Sequence, residues 1–523
     1  MTRSLIASLL ASSSLLTGPA LAGGFLWPSD SSGLHPTLPQ AAQPETWAGS
    51  LTLPNGIALE FSVVLTPPTG TISIPLQGAI DVPLQDVVAE GETIRFVLAP
   101  PGASPDNFAR FVFTRQSDTQ ATGHLTQGPM KLDVSMRRLE QGEAPPQAPR
   151  RPQDPIPPFP YEEVEVTFAN PDDPTVVLAG TLTIPPGSGG MPVAVLVSGS
   201  GPQDRDENLL GHRPFFVLAD HLTRNGIAVL RFDDRGVAKS TGNFESATTY
   251  DFASDALAAV QFLASHPRID ARRIGVIGHS EGGLIAPIVA ARRPDLAFIV
   301  LMAAPGMSGL ELMPRQAELV SLSAGIDPVE AKRQAENTRR ICALIAHGGD
   351  TQEIKDTLRE IIETELRNNP IHAALPADEF GQLVESQMMA QGPMLTSPWF
   401  KTFLLLDPRP YLAKVKCPVL TVTGSLDVQV APGENLDALR GALAHADPRT
   451  RIVELPDLNH LFQTAITGSP AEYAVIEETL APVFLDLVAS WVREVTGAAG
   501  DLVPWRPVEN GSAPAEGVQP ASK

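Results

Sequence analysis

The chain has 523 residues, of which 43% are hydrophobic and 19% charged, with a formal net charge of −21. That length exceeds one compact core and implies two or more domains. The acidic balance, 38 Lys and Arg against 59 Asp and Glu, excludes the basic face that nucleic-acid binding needs.

The first 22 residues, MTRSLIASLLASSSLLTGPALA, place Arg3 before an apolar stretch from Leu5 to Leu16 and end in Ala20-Leu21-Ala22. This is the pattern of a secretory signal peptide cleaved near Ala22, so the chain is expected to be exported, periplasmic or secreted. Serines interrupt the stretch, and no other segment offers the roughly 20 apolar residues of a membrane span. Cys342 and Cys417 are the only cysteines. Export permits a disulfide, but two cysteines in separate segments are expected to act as small buried hydrophobes.

Residues 45–140 carry short alternating runs, WAGSLTL, ALEFSVVL, TIRFVLAP, ARFVFTR and KLDVSMRRL, separated by turn signals such as Pro54-Asn55-Gly56. Period-two runs at this spacing predict a small antiparallel, barrel-like β domain. Residues 141–160 contain eight prolines and are expected to be an extended, semi-rigid linker.

From 161 to 497 the pattern changes. Apolar runs (VAVLVSG, GIAVLRFDD, RIGVIGHS, FIVLMAAPG, PVLTVTGS) alternate with helical segments, which predicts a parallel sheet covered on both faces. Helical patterns at about 307–410 interrupt the alternation and look like a cap over the strand ends. Residues 498–523, rich in Gly, Ala, Pro and acidic residues, are expected to be a disordered tail.

Residues 278–283, GHSEGG, hold the spacing G-x-S-x-G. The buried run Arg273–Ile277 precedes it and the helical run LIAPIVAARRPD follows. Strand, sharp turn and helix form the setting of a nucleophile elbow, so Ser280 is the candidate nucleophile. One oxyanion-hole donor would be the backbone N–H of Glu281, whose carboxylate is expected to be idle. The other would be the backbone N–H of Ser200 in SGSGPQDRD, where Gly199 and Gly201 let the loop approach closely. His460, in LPDLNHLFQ after an apolar strand, is the candidate base. Asp427, in VLTVTGSLDVQV, is the candidate orienting acid and gives the chain order Ser, Asp, His.

Asp233 and Asp234 precede the serine and break that order. His212 and His221 are expected to be structural, and His279 to point elsewhere. Met302, Met307, Met313, Met388, Met389 and Met394 are candidates for an adaptable acyl pocket, although methionines at such positions are more often core. No H-E-x-x-H or cysteine pair suggests a metal, and the acyl mechanism needs no cofactor.

The segments SGSGPQDRD, RFDDRGVAKSTG, GHSEGG, KCPVLTVTGSLDVQV and LNHLFQTAITGSPAEY resemble the EstD-like bacterial carboxylesterases of the α/β-hydrolase superfamily. The resemblance runs from about 192 to 485, and the N-terminal sheet looks like the small β-barrel that precedes the hydrolase in some relatives. It implies hydrolysis of carboxylic esters, those with short acyl chains, through the triad Ser280, Asp427 and His460. Ala238 departs from the pattern, since such loops more often carry glycine, and little effect is expected. Two rivals remain. One is a serine peptidase on the same fold. The other is an exported binding module with a broken triad, and no triad member is missing.

Overall fold

The computed structural model describes residues 44–506, apart from 53–57, 76–78, 100–107, 128–129, 141, 148–150, 188 and 499–501. The predicted signal peptide and residues 507–523 of the predicted tail lie outside the described residues.

Nine strands build the first unit: β1 (Glu45–Thr52), β2 (Ala58–Thr66), β3 (Thr69–Ile74), β4 (Ala79–Pro83), β5 (Gln85–Glu90), β6 (Thr93–Leu98), β7 (Ala109–Arg115), β8 (Gln120–Gln127) and β9 (Met130–Arg138). They form one antiparallel sheet in the order β4-β3-β2-β1-β9-β8-β7-β6-β5. Its end strands follow one another in the chain, and β5 packs back against β2 and β3, so the sheet rolls into a barrel-like form. Alternation sets the inside: Ala109, Phe111 and Phe113 of β7 are buried, while Arg110, Val112 and Thr114 face out. β8 (QATGHLTQ) carries little apolar signal. Its Gly123 is required sterically, because a Cβ there would lie 1.9 Å from the Val112 carbonyl oxygen.

The second unit is an eight-stranded sheet. It contains β10 (Glu162–Ala169), β11 (Val177–Ile184), β12 (Met191–Val197), β13 (Ala228–Phe232), β14 (Ile269–His279), β15 (Phe298–Met302), β16 (Val419–Gly424) and β17 (Arg451–Leu455). The order is β10-β11-β13-β12-β14-β15-β16-β17, with β11 antiparallel to both neighbours and β13 through β17 parallel. The central strands are apolar throughout because both faces are covered. In β12, Val193, Val195 and Val197 join one core with α2 (Thr249–Ala264), α3 (Glu281–Arg292) and α11 (Pro432–Ala442). Ala194 and Leu196 join the other core, with α1 (Pro214–Arg224) and α12 (Pro482–Thr496). This is the α/β-hydrolase architecture.

Between β15 and β16 lie α4 (Gly309–Ser323), α5 (Pro328–Ala346), α6 (Thr351–Asn368), α7 (Pro370–Ala373), α8 (Ala377–Leu395), α9 (Pro398–Leu405) and α10 (Arg409–Leu412). Their apolar stripes extend the core that α2 and α3 share. Cys342 of α5 and Cys417 are free and buried, and burial pushes both thiols up to about 12. Among the described residues, no helix is long and apolar enough to cross a membrane.

Two segments are more firmly held than composition suggests. Within the proline-rich stretch, Arg151 donates to the carbonyls of Leu210, Ala474 and Ile476, and the Gln153 side chain both donates to and accepts from the Leu480 backbone. In the region assigned to the tail, Val503 and Trp505 donate backbone N–H groups to Asn225 and Asp486. Prolines and small residues lower the apolar signal without preventing backbone hydrogen bonds to a preformed surface.

Candidate active site

Four segments meet because each follows the C-terminal end of a parallel strand: residues 198–206 after β12, Ser280 after β14, Asp427 after β16 and His460 after β17. Ser280 sits between β14 and α3 with φ 52° and ψ −113°, a conformation that strains any residue with a side chain. Its N–H donates to the Met302 carbonyl at 2.8 Å. Such a turn fits only between glycines. A Cβ on Gly278 would lie 2.0 Å from the Gly282 carbonyl oxygen, and one on Gly282 would lie 2.1 Å from that of Val197. A Cβ on Gly283 would meet the Ala304 Cβ at 2.3 Å.

The loop after β12 passes close to this turn, and a Cβ on Gly199 would stand 3.2 Å from that of Ser280. Its shape is held by carboxylates. Asp234 accepts from the Ser198 hydroxyl and the Gln203 N–H, both at 3.0 Å, and Asp233 accepts from the Arg205 N–H at 2.9 Å. Burial pushes the Asp234 carboxyl well above its ordinary value. The Gly199 N–H donates to Glu207 Oε1 at 2.7 Å. Among the described residues, the N–H groups of Ser200 and Glu281 have no protein acceptor.

His460 is buried, with its Nδ1 2.8 Å from Asp427 Oδ2. The other Asp427 oxygen accepts the N–H groups of Gln429 and Val430 at 2.8 Å each, so the carboxylate is fixed from both ends. With Nδ1 turned to Asp427, Nε2 is the ring atom left for chemistry. Ser280, His460, Gly199 and Ser200 all line one cavity of about 580 Å³.

His279 does not face the solvent side of this cavity alone. Its Nδ1 lies 2.8 Å from Glu207 Oε1 and its Nε2 3.1 Å from the His460 carbonyl oxygen. Both partners are acceptors, so the ring donates from both nitrogens. Burial works against that charge, yet the Glu207 carboxylate outweighs it and holds the imidazolium above its ordinary value. One buried pair thereby ties the loop after β12 to the backbone of His460.

The Glu281 carboxylate corrects the expectation that only its backbone matters. It accepts from Thr249 Oγ1 at 2.6 Å and from the Trp399 indole N–H at 2.9 and 3.0 Å. Burial raises its proton affinity, and these donors oppose that rise. Helix α9 of the cap is thus anchored to the residue that follows Ser280.

The methionines mostly do not form the pocket. Met313 lines the cavity, whereas Met302 is buried under the sheet and Met389 is 58% exposed. Position along the chain cannot distinguish a cavity wall from a core. His212 is a structural histidine that also borders the cavity. It contacts Thr479 Oγ1 and the Tyr473 carbonyl, and burial lowers its proton affinity to about 4. Among the described residues, no group of three or more His, Cys, Asp or Glu side chains is arranged to hold a metal ion.

Residues 213–328 match the family described as serine aminopeptidase, S33. That match includes Ser280 but ends before Asp427 and His460. Among curated proteins, esterase EstD of Thermotoga maritima is 26% identical over 319 residues, 61% of this chain. The mitochondrial palmitoyl-protein thioesterase ABHD10 of Bos taurus is 29% identical over 120 residues, 22% of this chain. The chain spans 64% of the Thermotoga protein's length and 37% of the bovine one's. A solved esterase of Pyrococcus furiosus, Pf2001, is 17% identical with a TM-score of 0.38, covering 64% of this chain and 94% of its own. The chain is thus similar to an esterase over 61% of its length.

Three residues around this site escape sequence reasoning. Glu207 and Trp399 lie 73 and 119 positions from Ser280, and no local pattern marks either one. For His279 the only signal is its place beside the serine, where a polar side chain is bound to be buried.

Proposed function

We propose that the chain is a serine hydrolase that cleaves carboxylic esters, with short acyl chains, by way of an acyl-enzyme. The observation that carries this reading is the 2.8 Å contact of Asp427 with His460, which lines the same cavity as the strained Ser280. In this reading His460 Nε2 takes the Ser280 proton, and Asp427 orients the ring and stabilises its charged form. Ser280 Oγ attacks the ester carbon, and the oxygen that gains charge is met by the N–H groups of Ser200 and Glu281. Collapse of the tetrahedral intermediate breaks the bond to the alcohol oxygen, which receives the proton from His460. Water then repeats the sequence on the acyl-enzyme and releases the acid.

The likeness of residues 213–328 to a serine aminopeptidase family favours a second reading, peptide hydrolysis on the same machinery. A panel of p-nitrophenyl esters of increasing chain length, run beside aminoacyl anilides, separates the two. Ester turnover is expected to exceed anilide turnover, and Ser280→Ala to lower it by about 10⁴-fold or more. Activity confined to the anilides would establish the peptidase instead.

A further inference from the structure

We infer that the preferred substrate joins an apolar acyl group to an alcohol that carries further hydroxyl groups. This rests on the proposed roles of Ser280 and His460 and adds a direction to the cavity. The leaving oxygen must take its proton from His460 Nε2, because Nδ1 is held by Asp427. The alcohol therefore lies along the wall that carries His460, and the acyl chain extends from the attacked carbon toward the other wall.

The wall around His460 carries a group of polar side chains set among apolar ones such as Val430 and Leu461. It is built by the turn after Asp427 and by the chain that continues past His460, and it includes Gln429, Thr467, Ser469, Tyr473 and Thr479. Gln429 is placed by the same turn that fixes Asp427, since its own N–H donates to that carboxylate. Its side-chain amide donates to the Tyr473 hydroxyl at 2.7 Å. The Tyr473 hydroxyl thus uses a lone pair and keeps its hydrogen. Among the described residues, neither that hydrogen nor Gln429 Oε1 has a protein partner, although Tyr473 is only 4% exposed. An apolar alcohol pressed on these groups would strip them of water without replacing it, whereas hydroxyls would supply the missing donor and acceptor.

The wall supplied by the cap is different. Leu312, Met313 and Val320 of α4 and Phe400 and Phe403 of α9 present hydrocarbon, with Gln316 and Ser323 the polar exceptions, and Trp399 turns its indole N–H to Glu281. An acyl chain gains there simply by leaving water.

Two isomeric esters test this orientation. Glycerol monobutyrate has an apolar acid and a polar alcohol; butyl glycerate reverses them. Each kcat/KM is divided by the rate of alkaline hydrolysis of the same ester, which removes intrinsic reactivity. Glycerol monobutyrate is expected to be favoured by roughly tenfold or more, the scale on which pockets discriminate a single misplaced polar group. Tyr473→Phe and Gln429→Leu are expected to shrink that ratio. Because a ratio does not depend on the folded fraction, a poorly folding variant remains informative. Equal rates, a preference for butyl glycerate, or a ratio unchanged in both variants would overturn the inference. If p-nitrophenyl butyrate is not cleaved at all, the esterase reading itself fails; if it is cleaved without the isomer preference, only the orientation fails.

Discussion

The turn that holds Ser280 and the cap that closes over it are specified in different ways. In the turn, every small residue has a reason within a few ångströms of backbone: Gly278, Gly282 and Gly283 leave no room for a Cβ. In the cap, the helices follow from apolar periodicity, but the contact that matters is one indole N–H on one buried carboxylate, Trp399 on Glu281. Side chains at the turn are excluded by sterics, which tolerates little. The cap is attached by packing and a hydrogen bond, which can be weakened by degrees.

That contrast can be broken most severely at the turn. Gly282→Ala would drive a Cβ into the Val197 carbonyl, at the strand end that leads into the loop carrying Ser200. A displacement of that loop by even about 1 Å is expected to cost roughly 10²-fold in kcat/KM, with a stability loss of about 1–3 kcal/mol by urea titration. A variant with normal activity would show that the elbow is not sterically closed.

The cap is expected to respond more gently. Trp399→Phe keeps an aromatic ring and removes the donor, leaving Glu281 with Thr249. We expect kcat/KM to fall about tenfold, about 1.4 kcal/mol, as for the loss of one hydrogen bond to a charged group. Glu281→Gln, which retains an acceptor, should fall less than Glu281→Ala. Equal losses in those two would argue that the charge, which both variants remove, rather than the volume or the retained acceptor, is what the carboxylate supplies.

The smallest effect is a gain. Ala238 has φ 46°, the left-handed region that favours glycine, so the departure from the glycine of similar loops carries a local cost. Ala238→Gly is expected to stabilise the protein by about 0.5 kcal/mol, the strain relieved less the added freedom of the unfolded chain. A lower urea midpoint would show that the loop, rather than the residue, sets this angle.

Much of the site was legible because it is local or ordered along the chain. GHSEGG declares its turn through steric need, and Asp427 and His460 each follow an apolar strand that reads plainly as one. Five of the nine strands in the N-terminal sheet were readable from alternation. β8 was not, since QATGHLTQ is polar and is a strand only because β7 and β9 pair with it on either side. β10 and β11 escaped for a related reason, as edge and near-edge strands whose pairing is decided by neighbours.

Residue order alone determined the hydrolase architecture, the elbow and the candidates Ser280, Asp427 and His460, because strand periodicity, glycine sterics and the sequence of βα units are properties of short segments. Only the tertiary structure decided that Glu207 braces His279, that Glu281 holds Trp399, that Met313 and not Met389 faces the cavity, and that Tyr473 stands beside Gln429. These contacts join residues from about 40 to more than 100 positions apart. Which distant side chains meet depends on how the sheet twists and the helices pack, and no short stretch of chain contains that geometry.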